Sequence, residues 1–300
     1  MNKPEMRKKM NVLEETKMIL KKYKIQANKK LGQNFLINED VIDGIIDSAE
    51  LENNDLVIEI GPGLGVLTNR LLQQAYKVIA IELDSKMVEI ISEEFKFFDN
   101  IEIINNDILK INLNELIKNE KEKAAAAGIK IGKVKIVANL PYYISTSIIM
   151  KLLKERANID NIIVMVQKEV ADRIIAVPGT ELSGAITYAI NYYSIASEVL
   201  KVEKESFIPS PKVESKVIKL NIRKKTAIDV KDEDLFFDLI KKSFSQRRKT
   251  LANCLVNYSF AKNKEQAIEY LKKVGLDENV RGETLTLKQY NDLINVIDNQ

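Results

Sequence analysis

The chain has 300 residues, 45% of them hydrophobic and 30% charged, with a formal net charge of +3, which is the balance of a folded globular protein. It contains no histidine and one cysteine, Cys254, which excludes Ser-His-Asp and Cys-His hydrolysis and most zinc enzymes, because those chemistries need imidazole or several thiolates. The longest aliphatic run near the middle, residues 162–166, is far shorter than the roughly 20 residues that cross a bilayer. We therefore expect no membrane span, no metal and a reducing, cytoplasmic setting.

The first predicted domain is a sheet in which strands alternate with helices. Strands are predicted at residues 56–60, 78–83, 101–105, 134–138 and 161–166, and helices at residues 67–75, 85–95 and 144–155. Because such alternation produces parallel strands joined by right-handed crossovers, the fold class is α/β with a mostly parallel twisted sheet. Two further strand-like runs, residues 198–202 and 216–222, indicate an antiparallel edge.

The composition changes after a polar joint at residues 226–234. Helices are predicted at residues 234–244, 248–257, 264–274 and 287–297. We expect a first domain over residues 1–225, with a basic arm at residues 1–30, and a small all-helical domain over residues 230–300. An alanine-rich stretch within residues 119–133 is interpreted as a surface insertion.

The charge is distributed unevenly between these segments. Residues 1–30 carry a net charge of +7, residues 31–110 a net charge of −11 and residues 201–250 a net charge of +6. Basic segments on both sides of an acidic middle indicate a polyanionic partner, although an ordinary solvated surface explains the same charges equally well.

A glycine-rich turn, EIGPGLG at residues 59–65, follows the first predicted strand and opens the first helix. Glycines such as Gly61 and Gly63 let the backbone turn tightly and approach a ligand at the helix N-terminus. The third glycine comes one place earlier than in dinucleotide sites, and Glu59 precedes the first. This carboxylate suits the cationic end of an amino-acid-bearing cofactor better than a pyrophosphate. A merely tight strand-to-helix turn is the structural alternative.

Two acids follow the next two strands. Glu82 lies at the end of the second strand, where a carboxylate can accept both hydroxyls of a ribose. Asp107 lies just past the third strand, where it can accept from an adenine amine. Either residue alone could equally be a helix N-cap. Together with the glycine turn they place three ligand contacts at the carboxyl ends of three successive strands, where open α/β sheets bind ligands.

The most specific motif is NLPY at residues 139–142, at the end of the fourth strand. The exocyclic amine of adenine is a poor nucleophile because its lone pair is delocalised into the ring. The side-chain oxygen of Asn139 and a backbone carbonyl of the proline segment can accept hydrogen bonds from the two N–H groups of this amine. These bonds favour a lone pair localised on the nitrogen and stabilise the positive charge that develops there. Tyr142 can stack on the base. A rigid turn with a buried tyrosine is the structural alternative.

Six motifs in order make the chain resemble a known family over most of its length, from Leu31 to Arg281. They are LGQNFL (31–36), EIGPGLG (59–65), NLPY (139–142), QKEVA (167–171), FIPSPKV (207–213) and SQRRKTL (245–251). The chain is similar to the bacterial small-subunit (16S) ribosomal RNA adenine N6,N6-dimethyltransferases, a family of class I S-adenosylmethionine-dependent methyltransferases. The resemblance implies a Rossmann-like methyltransferase domain.

The resemblance also implies roles for individual residues. S-adenosylmethionine would be bound by Asn34, Leu36, Gly61, Gly63, Glu82, Asp107 and Asn139. Asn139 and the Leu140 carbonyl, in the segment with Pro141, would face the target amine, and Tyr142 and Phe207 would stack on the two faces of the adenine. Arg247, Arg248, Lys249 and the N-terminal lysines would bind phosphates. A purely structural role for the loop of Phe207, and an exposed helix start for the basic segment, remain alternatives.

The function implied by the resemblance is dimethylation of two adjacent adenosines near the 3′ end of small-subunit ribosomal RNA, by a monomer acting on an assembling subunit. A large-subunit (23S) rRNA adenine methyltransferase of the macrolide-resistance type shares the fold and the Asn-x-Pro-Tyr chemistry. A non-catalytic RNA-binding assembly factor is a second alternative, and a nicotinamide oxidoreductase a third.

Overall fold

The computed structural model describes residues 11–28, 31–246 and 248–298. The chain divides into two compact units. The first comprises Met1–Ala171 and Ser197–Ile222, and the second Asp172–Ala196 and Arg223–Gln300. Of the predicted basic arm, residues 1–10, 29 and 30 lie outside the described residues.

The strands confirm the predicted sheet. In chain order they are β1 (Phe35–Leu36), β2 (Leu56–Ile60), β3 (Lys77–Glu82), β4 (Ile101–Asn105), β5 (Val134–Asn139), β6 (Asn161–Gln167), β7 (Ser194–Val202), β8 (Phe207–Ile208) and β9 (Ser215–Ile222). Within the described residues, seven of them form one sheet in the order β4-β3-β2-β5-β6-β9-β7, and β1 pairs with β8 in a separate small sheet. The neighbours from β4 to β6 are parallel and β9 is antiparallel to β6, as the alternating pattern and the two late strand-like runs predict.

Helices connect and cover these strands. They are α1 (Val12–Lys22), α2 (Glu39–Ala49), α3 (Val66–Leu71), α4 (Ser85–Glu94), α5 (Leu113–Ala126), α6 (Ser145–Lys154), α7 (Lys168–Ile175), α8 (Ala185–Tyr193), α9 (Glu233–Ser245), α10 (Leu251–Asn257), α11 (Lys264–Lys273) and α12 (Leu287–Asp298). Several begin at a polar side chain that accepts a backbone N–H of the first turn, as Asn38 does for α2 and Asp84 for α4. All five residues of the central strand β2 are buried, and β3, β5 and β6 are partly exposed only at their ends, as expected for parallel strands covered on both faces.

The predicted surface insertion at residues 119–133 is largely exposed, but its first half is helical. Residues 119–126 form the second half of α5, which lies in the crossover from β4 to β5. Ile117, Glu120 and Ala124 are buried, because a spacing of three to four residues puts them on one face of the helix. Ala124 therefore lies on the packed face of α5, whereas Ala125, Ala126 and Ala127 are exposed.

The second unit is helical, but it includes more of the chain than the predicted 230–300. Residues 172–196 group with it because α8 contributes buried tyrosines to its aromatic core. The ring of Tyr188 lies 5.5 Å from that of Phe244 and 5.3 Å from that of Tyr290, and the hydroxyl of Tyr192 donates to Glu233 at 2.8 Å. Among the described residues, no helix has the length and apolar character needed to cross a membrane.

Candidate active site

A cleft lies at the carboxyl ends of β2, β3, β4 and β5, within the first unit. The predicted site residues that line it are Asn34, Leu36, Gly61, Gly63, Glu82, Asp107, Asn139, Leu140, Pro141 and Tyr142. Three of the named motifs (LGQNFL, EIGPGLG and NLPY) and the two acids Glu82 and Asp107 thus contribute to one cleft.

The glycine turn leaves room for a ligand beside its first two glycines. Gly61 and Gly63 have positive φ angles of 68° and 56°, which favour glycine. A Cβ atom added to Gly61 would have no neighbour closer than 4.0 Å, and one added to Gly63 none closer than 3.8 Å. A Cβ at Gly65 would instead lie 2.3 Å from the ring of Phe95. The third glycine therefore serves packing, whereas the first two border open space that a bound molecule can fill.

Glu59 is a buried acid in the wall of this cleft. It is 1% exposed, and its Oε2 accepts a 2.6 Å hydrogen bond from the Thr68 hydroxyl. Burial raises the pKa of the Glu59 carboxyl to about 8, because a charged carboxylate loses its hydration there. A cationic group bound in the cleft would stabilise the ionised form.

Glu82 and Asp107 occupy the ends of β3 and β4 as predicted. The carboxylate of Glu82 accepts from the N–H of Gly63 at 3.2 Å and from the N–H of Asp84 at 2.9 Å. Burial raises its pKa, and these backbone bonds offset only part of the rise. Asp107 Oδ1 accepts from the N–H of Leu109 at 2.9 Å and caps a short 3-10 helix. The capping alternative is thus realised at Asp107, and its second oxygen remains available to a ligand.

The charge of the cleft restricts what can bind in it. Its charged lining residues, among those the structure describes, are three carboxylates: Glu59, Glu82 and Asp107. No lysine or arginine is found among the described lining residues. A pyrophosphate would find no cationic side chain here, whereas a ligand with a positive charge is favoured because it stabilises the ionised form of these acids.

Asn139 and Leu140 present two unused hydrogen-bond acceptors. The side-chain Nδ2 of Asn139 donates to the main-chain carbonyl of Asn34 at 3.3 Å, which orients the amide. The N–H of Leu140 donates to the carbonyl of Met165 at 3.2 Å, which ties the segment to β6. The Pro141 carbonyl is occupied by the N–H of Ile144. Asn139 Oδ1 and the Leu140 carbonyl have no donor among the described residues.

Tyr142 is half-buried beside these acceptors, and its hydroxyl lies 2.6 Å from the Ser215 hydroxyl. Burial raises the pKa of Tyr142, and the Ser215 bond offsets only part of that rise. The phenol is therefore neutral at neutral pH. Tyr143, the next residue, lies at the rim of the cleft and is 57% exposed.

Phe207, which the resemblance places against the target base, is a buried residue of the first unit. It is 3% exposed, it belongs to a buried apolar cluster of the first unit, and it is absent from the cleft lining. Its strand β8 pairs with β1, with Leu36 opposite Phe207. The structural alternative fits this position better, because the ring holds the LGQNFL segment against the core.

The basic segment lies in the second unit. Arg247 lies outside the described residues. Arg248 and Lys249 are exposed in a turn, and α10 begins at Leu251 instead of the predicted residue 248. Thr250 ends the turn because its hydroxyl accepts from the N–H of Asn253 and caps the helix.

The sequence analysis missed two residues that support the site. Thr68 holds Glu59 from nine positions along the chain, and Ser215 holds Tyr142 from 73 positions along the chain. Thr68 could have been inferred as a polar residue in an otherwise apolar face of α3. The contact of Ser215 depends on the pairing of β6 with β9, and no local pattern indicates it.

A family model for "Ribosomal RNA adenine dimethylase" matches residues 24–299. The chain belongs to this family. Its similarity to other members covers nearly the whole chain. "Ribosomal RNA small subunit methyltransferase A" of Clostridioides difficile (strain 630) is 45% identical over 94% of this chain and 95% of that protein. The protein of the same name from Alkaliphilus metalliredigens (strain QYMF) is 44% identical over 92% of this chain and 93% of that protein.

Solved structures confirm the methyltransferase fold expected of this family. A dimethyladenosine transferase from Plasmodium falciparum superposes with a TM-score of 0.71 at 25% identity, covering 88% of this chain and 98% of that chain. The 23S rRNA methyltransferase ErmE superposes with a TM-score of 0.63 at 22% identity, covering 88% of this chain and 100% of that chain. At that identity, the likeness to ErmE shows the fold alone.

Proposed function

We propose that this dimethylase-family chain transfers methyl groups from S-adenosylmethionine to the N6 amines of two adjacent adenosines near the 3′ end of small-subunit ribosomal RNA. The RNA is presented by an assembling subunit in the cytoplasm. The observation that carries the proposal is the pair of free acceptors, Asn139 Oδ1 and the Leu140 carbonyl, at the edge of an anionic cleft.

The residues of the cleft fit S-adenosylmethionine. Glu59 would pair with its ammonium group, Glu82 would accept from its ribose hydroxyls and Asp107 from its adenine amine. The open space beside Gly61 and Gly63 admits the ligand against the backbone. When bound, the cofactor supplies an electrophilic methyl group.

The chain itself prepares the nucleophile. In the first transfer to each adenosine, Asn139 Oδ1 and the Leu140 carbonyl would each accept a hydrogen bond from one N–H of the target amine, which draws the nitrogen lone pair out of conjugation with the ring. In the second transfer one N–H remains, and one of the two oxygens would accept from it. Each methyl group added replaces one proton, which leaves to solvent. The same oxygens stabilise the positive charge that grows on the nitrogen. Tyr142 would stack on the adenine, an interaction worth about 1–3 kcal/mol per base. The neutral phenol of Tyr142 takes no part in proton transfer.

Small-subunit RNA is favoured over large-subunit RNA by the relatives. The two proteins named for the small subunit are 44–45% identical to this chain, whereas ErmE is 22% identical. A nicotinamide oxidoreductase is disfavoured because three carboxylates line the cleft where a dinucleotide needs its pyrophosphate bound.

Calorimetric titration tests the cofactor. We expect S-adenosylmethionine to bind to the wild-type chain and NAD not to bind. Binding of NAD without binding of S-adenosylmethionine would contradict the cofactor assignment.

Methylation in vitro tests the reaction. Small-subunit particles from a strain without this modification are incubated with the protein and S-adenosylmethionine, and the 3′ RNA fragment is analysed by mass spectrometry. We expect two adjacent dimethyladenosines. Methylation of large-subunit RNA instead, with macrolide resistance on expression, supports the 23S alternative. Tight binding to the particle without any methyl transfer supports an assembly factor.

A further inference from the structure

The hydroxyl groups of Tyr142 and Ser215 meet at 2.6 Å across 73 residues of sequence. Ser215 is the first residue of β9 and is 1% exposed. In the sheet register it lies opposite Gln167, the last residue of β6. The neighbouring strand β5 ends at Asn139. Ser215 therefore lies at the same end of the sheet as the acceptor pair.

The position of Ser215 is well defined by its surroundings. The N–H of Lys168 donates to the carbonyl of Glu214 at 3.0 Å, and the side chains of the same two residues form an ion pair at 2.8 Å. These contacts join the end of β6 to the start of β9. The backbone that carries Ser215 is thus held in place, and the serine is buried, so its hydroxyl offers a defined partner to a neighbouring side chain.

The tyrosine hydroxyl has no chemical task in the proposed reaction. Stacking needs only the aromatic ring, and a phenylalanine offers the same face. The side chain of Tyr142 turns about two bonds, so the ring needs a second attachment to keep one orientation. The bond to Ser215 supplies that attachment at the tip of the ring.

We propose that Ser215 is a positioning residue, which fixes the ring of Tyr142 in the orientation that receives the target adenine beside Asn139. This inference rests on the proposed function, in which Tyr142 stacks on the base. Ser215 acts through Tyr142 and does not contact the substrate. Its loss should lower the rate of methyl transfer while leaving the affinity for S-adenosylmethionine unchanged.

A double-mutant cycle tests the inference with Ser215→Ala, Tyr142→Phe and the combined variant. Each single substitution should slow single-turnover methylation at saturating RNA and cofactor by about 2- to 10-fold, the effect of one hydrogen bond. The combined variant should be no slower than the slower single variant, because both changes remove the same hydrogen bond. Tyr142→Phe removes one oxygen only, so it tests this bond even where Ser215→Ala folds poorly.

Ser194→Ala is the matched control. Ser194 is also the first residue of a strand and 1% exposed, and its hydroxyl donates to the Ile190 carbonyl at 2.9 Å. It shares the burial of Ser215 without a contact to Tyr142. We expect Ser194→Ala to change the melting temperature while the rate per cofactor-binding site stays at the wild-type value.

The outcomes separate the two proposals. If the wild-type chain does not methylate small-subunit particles, the proposed function fails and the positioning role fails with it. If the wild-type chain methylates them but both single variants keep the wild-type rate, the role of Ser215 alone is overturned. Losses that multiply in the combined variant overturn it too, because the two hydroxyls would then act independently.

Discussion

Carboxylates are buried at both ends of the central sheet, but the two ends balance their charge differently. At the amino end, Asp55 pairs with Lys135 at 2.7 Å, both side chains being 1% exposed, and Glu120 pairs with Lys77 at 2.8 Å. At the carboxyl end, Glu59 and Glu82 have no cationic partner among the described residues. The buried acids of the amino end are thus balanced by lysines of the chain itself, whereas Glu59 and Glu82 are not balanced by any described cation.

The pKa values reflect this difference. Burial alone would raise the pKa of Asp55, but hydrogen bonds from Lys135 and from two backbone N–H groups outweigh it and lower the pKa. Burial raises the pKa of Glu59 to about 8, because only a threonine hydroxyl opposes it. The fold therefore favours the ionised form of Asp55, whereas ionisation of Glu59 costs stability.

The largest effect is expected from breaking the ion pair at the amino end. Lys135→Met leaves Asp55 buried without a counter-charge, which should lower the free energy of unfolding by about 3–5 kcal/mol. Urea unfolding of the variant measures the loss, with the exposed Lys130→Met as control. A variant as stable as the wild type would show that the pair does not balance the amino end.

Removing the acceptor at the carboxyl end should affect the reaction instead of the fold. Asn139→Ala should lower turnover about 100- to 1,000-fold, equivalent to about 2.7–4 kcal/mol of transition-state stabilisation, if Asn139 acts as an oxyanion-hole group does. RNA affinity should barely change, while some cofactor affinity is lost.

Asn100→Ala is the control for Asn139→Ala. The side chain of Asn100 precedes β4 at the amino end and donates to the carbonyls of Leu72 and Ala75. Its loss should reduce stability and spare turnover. Equal turnover in the two variants would contradict the separation of the two ends.

The pH dependence of stability distinguishes Glu59 from a paired acid. Its pKa is about 8 in the folded chain against an ordinary value of 4.5, so the folded state binds more protons than the unfolded state between these values. Stability should therefore fall as the pH rises from about 4.5 to 8, by at most about 1.4 kcal/mol per pH unit. Glu59→Gln should remove this decline and be the more stable protein at pH 8.

The same substitution should weaken the binding of S-adenosylmethionine, because the neutral amide cannot pair with an ammonium group. Urea unfolding at several pH values and calorimetry at pH 8 measure the two effects. Glu89→Gln, on the exposed surface of α4, is the control. Parallel pH profiles for Glu59→Gln and the wild type would contradict the unpaired state of Glu59.

The smallest effect concerns the basic segment of the second unit. Replacing Arg247, Arg248 and Lys249 with alanine should make RNA binding less sensitive to salt. The slope of log affinity against log salt concentration should become shallower by about 0.7–0.9 for each phosphate that the variant no longer binds. Turnover at saturating RNA should persist. The control replaces three lysines of the first unit, Lys118, Lys121 and Lys130. An unchanged salt slope would make the basic segment ordinary surface.

Much of the sheet and of the cleft could be predicted from the sequence, because both depend on local signals. Leu56–Ile60 could be predicted as a strand because it is a short, mostly aliphatic run. The NLPY motif follows a second run of this kind, Val134–Ala138, so its position at the end of a strand could be predicted too. The order of motifs along an α/β chain then places their residues at one end of the sheet.

Features that depend on distant contacts could not be predicted in the same way. Phe207 lies in a motif typical of a base-binding loop, but its burial follows from the pairing of β8 with β1. Residues 172–196 lie within the predicted first domain of residues 1–225, yet Tyr188 packs with α9 and α12. The bond of Ser215 to Tyr142 likewise requires two strands to be in register. Local patterns carry no information about these pairings.

The most direct test of the central claim is the modification state of small-subunit RNA in a strain that lacks its own dimethyltransferase. The strain is supplied with the wild-type chain or with Asn139→Ala at equal protein levels, and its RNA is analysed by mass spectrometry. The wild-type chain should restore two adjacent dimethyladenosines near the 3′ end, and Asn139→Ala should restore few or none. Full restoration by Asn139→Ala, or none by the wild-type chain, would contradict a methyl transfer that depends on the carboxyl end of this sheet.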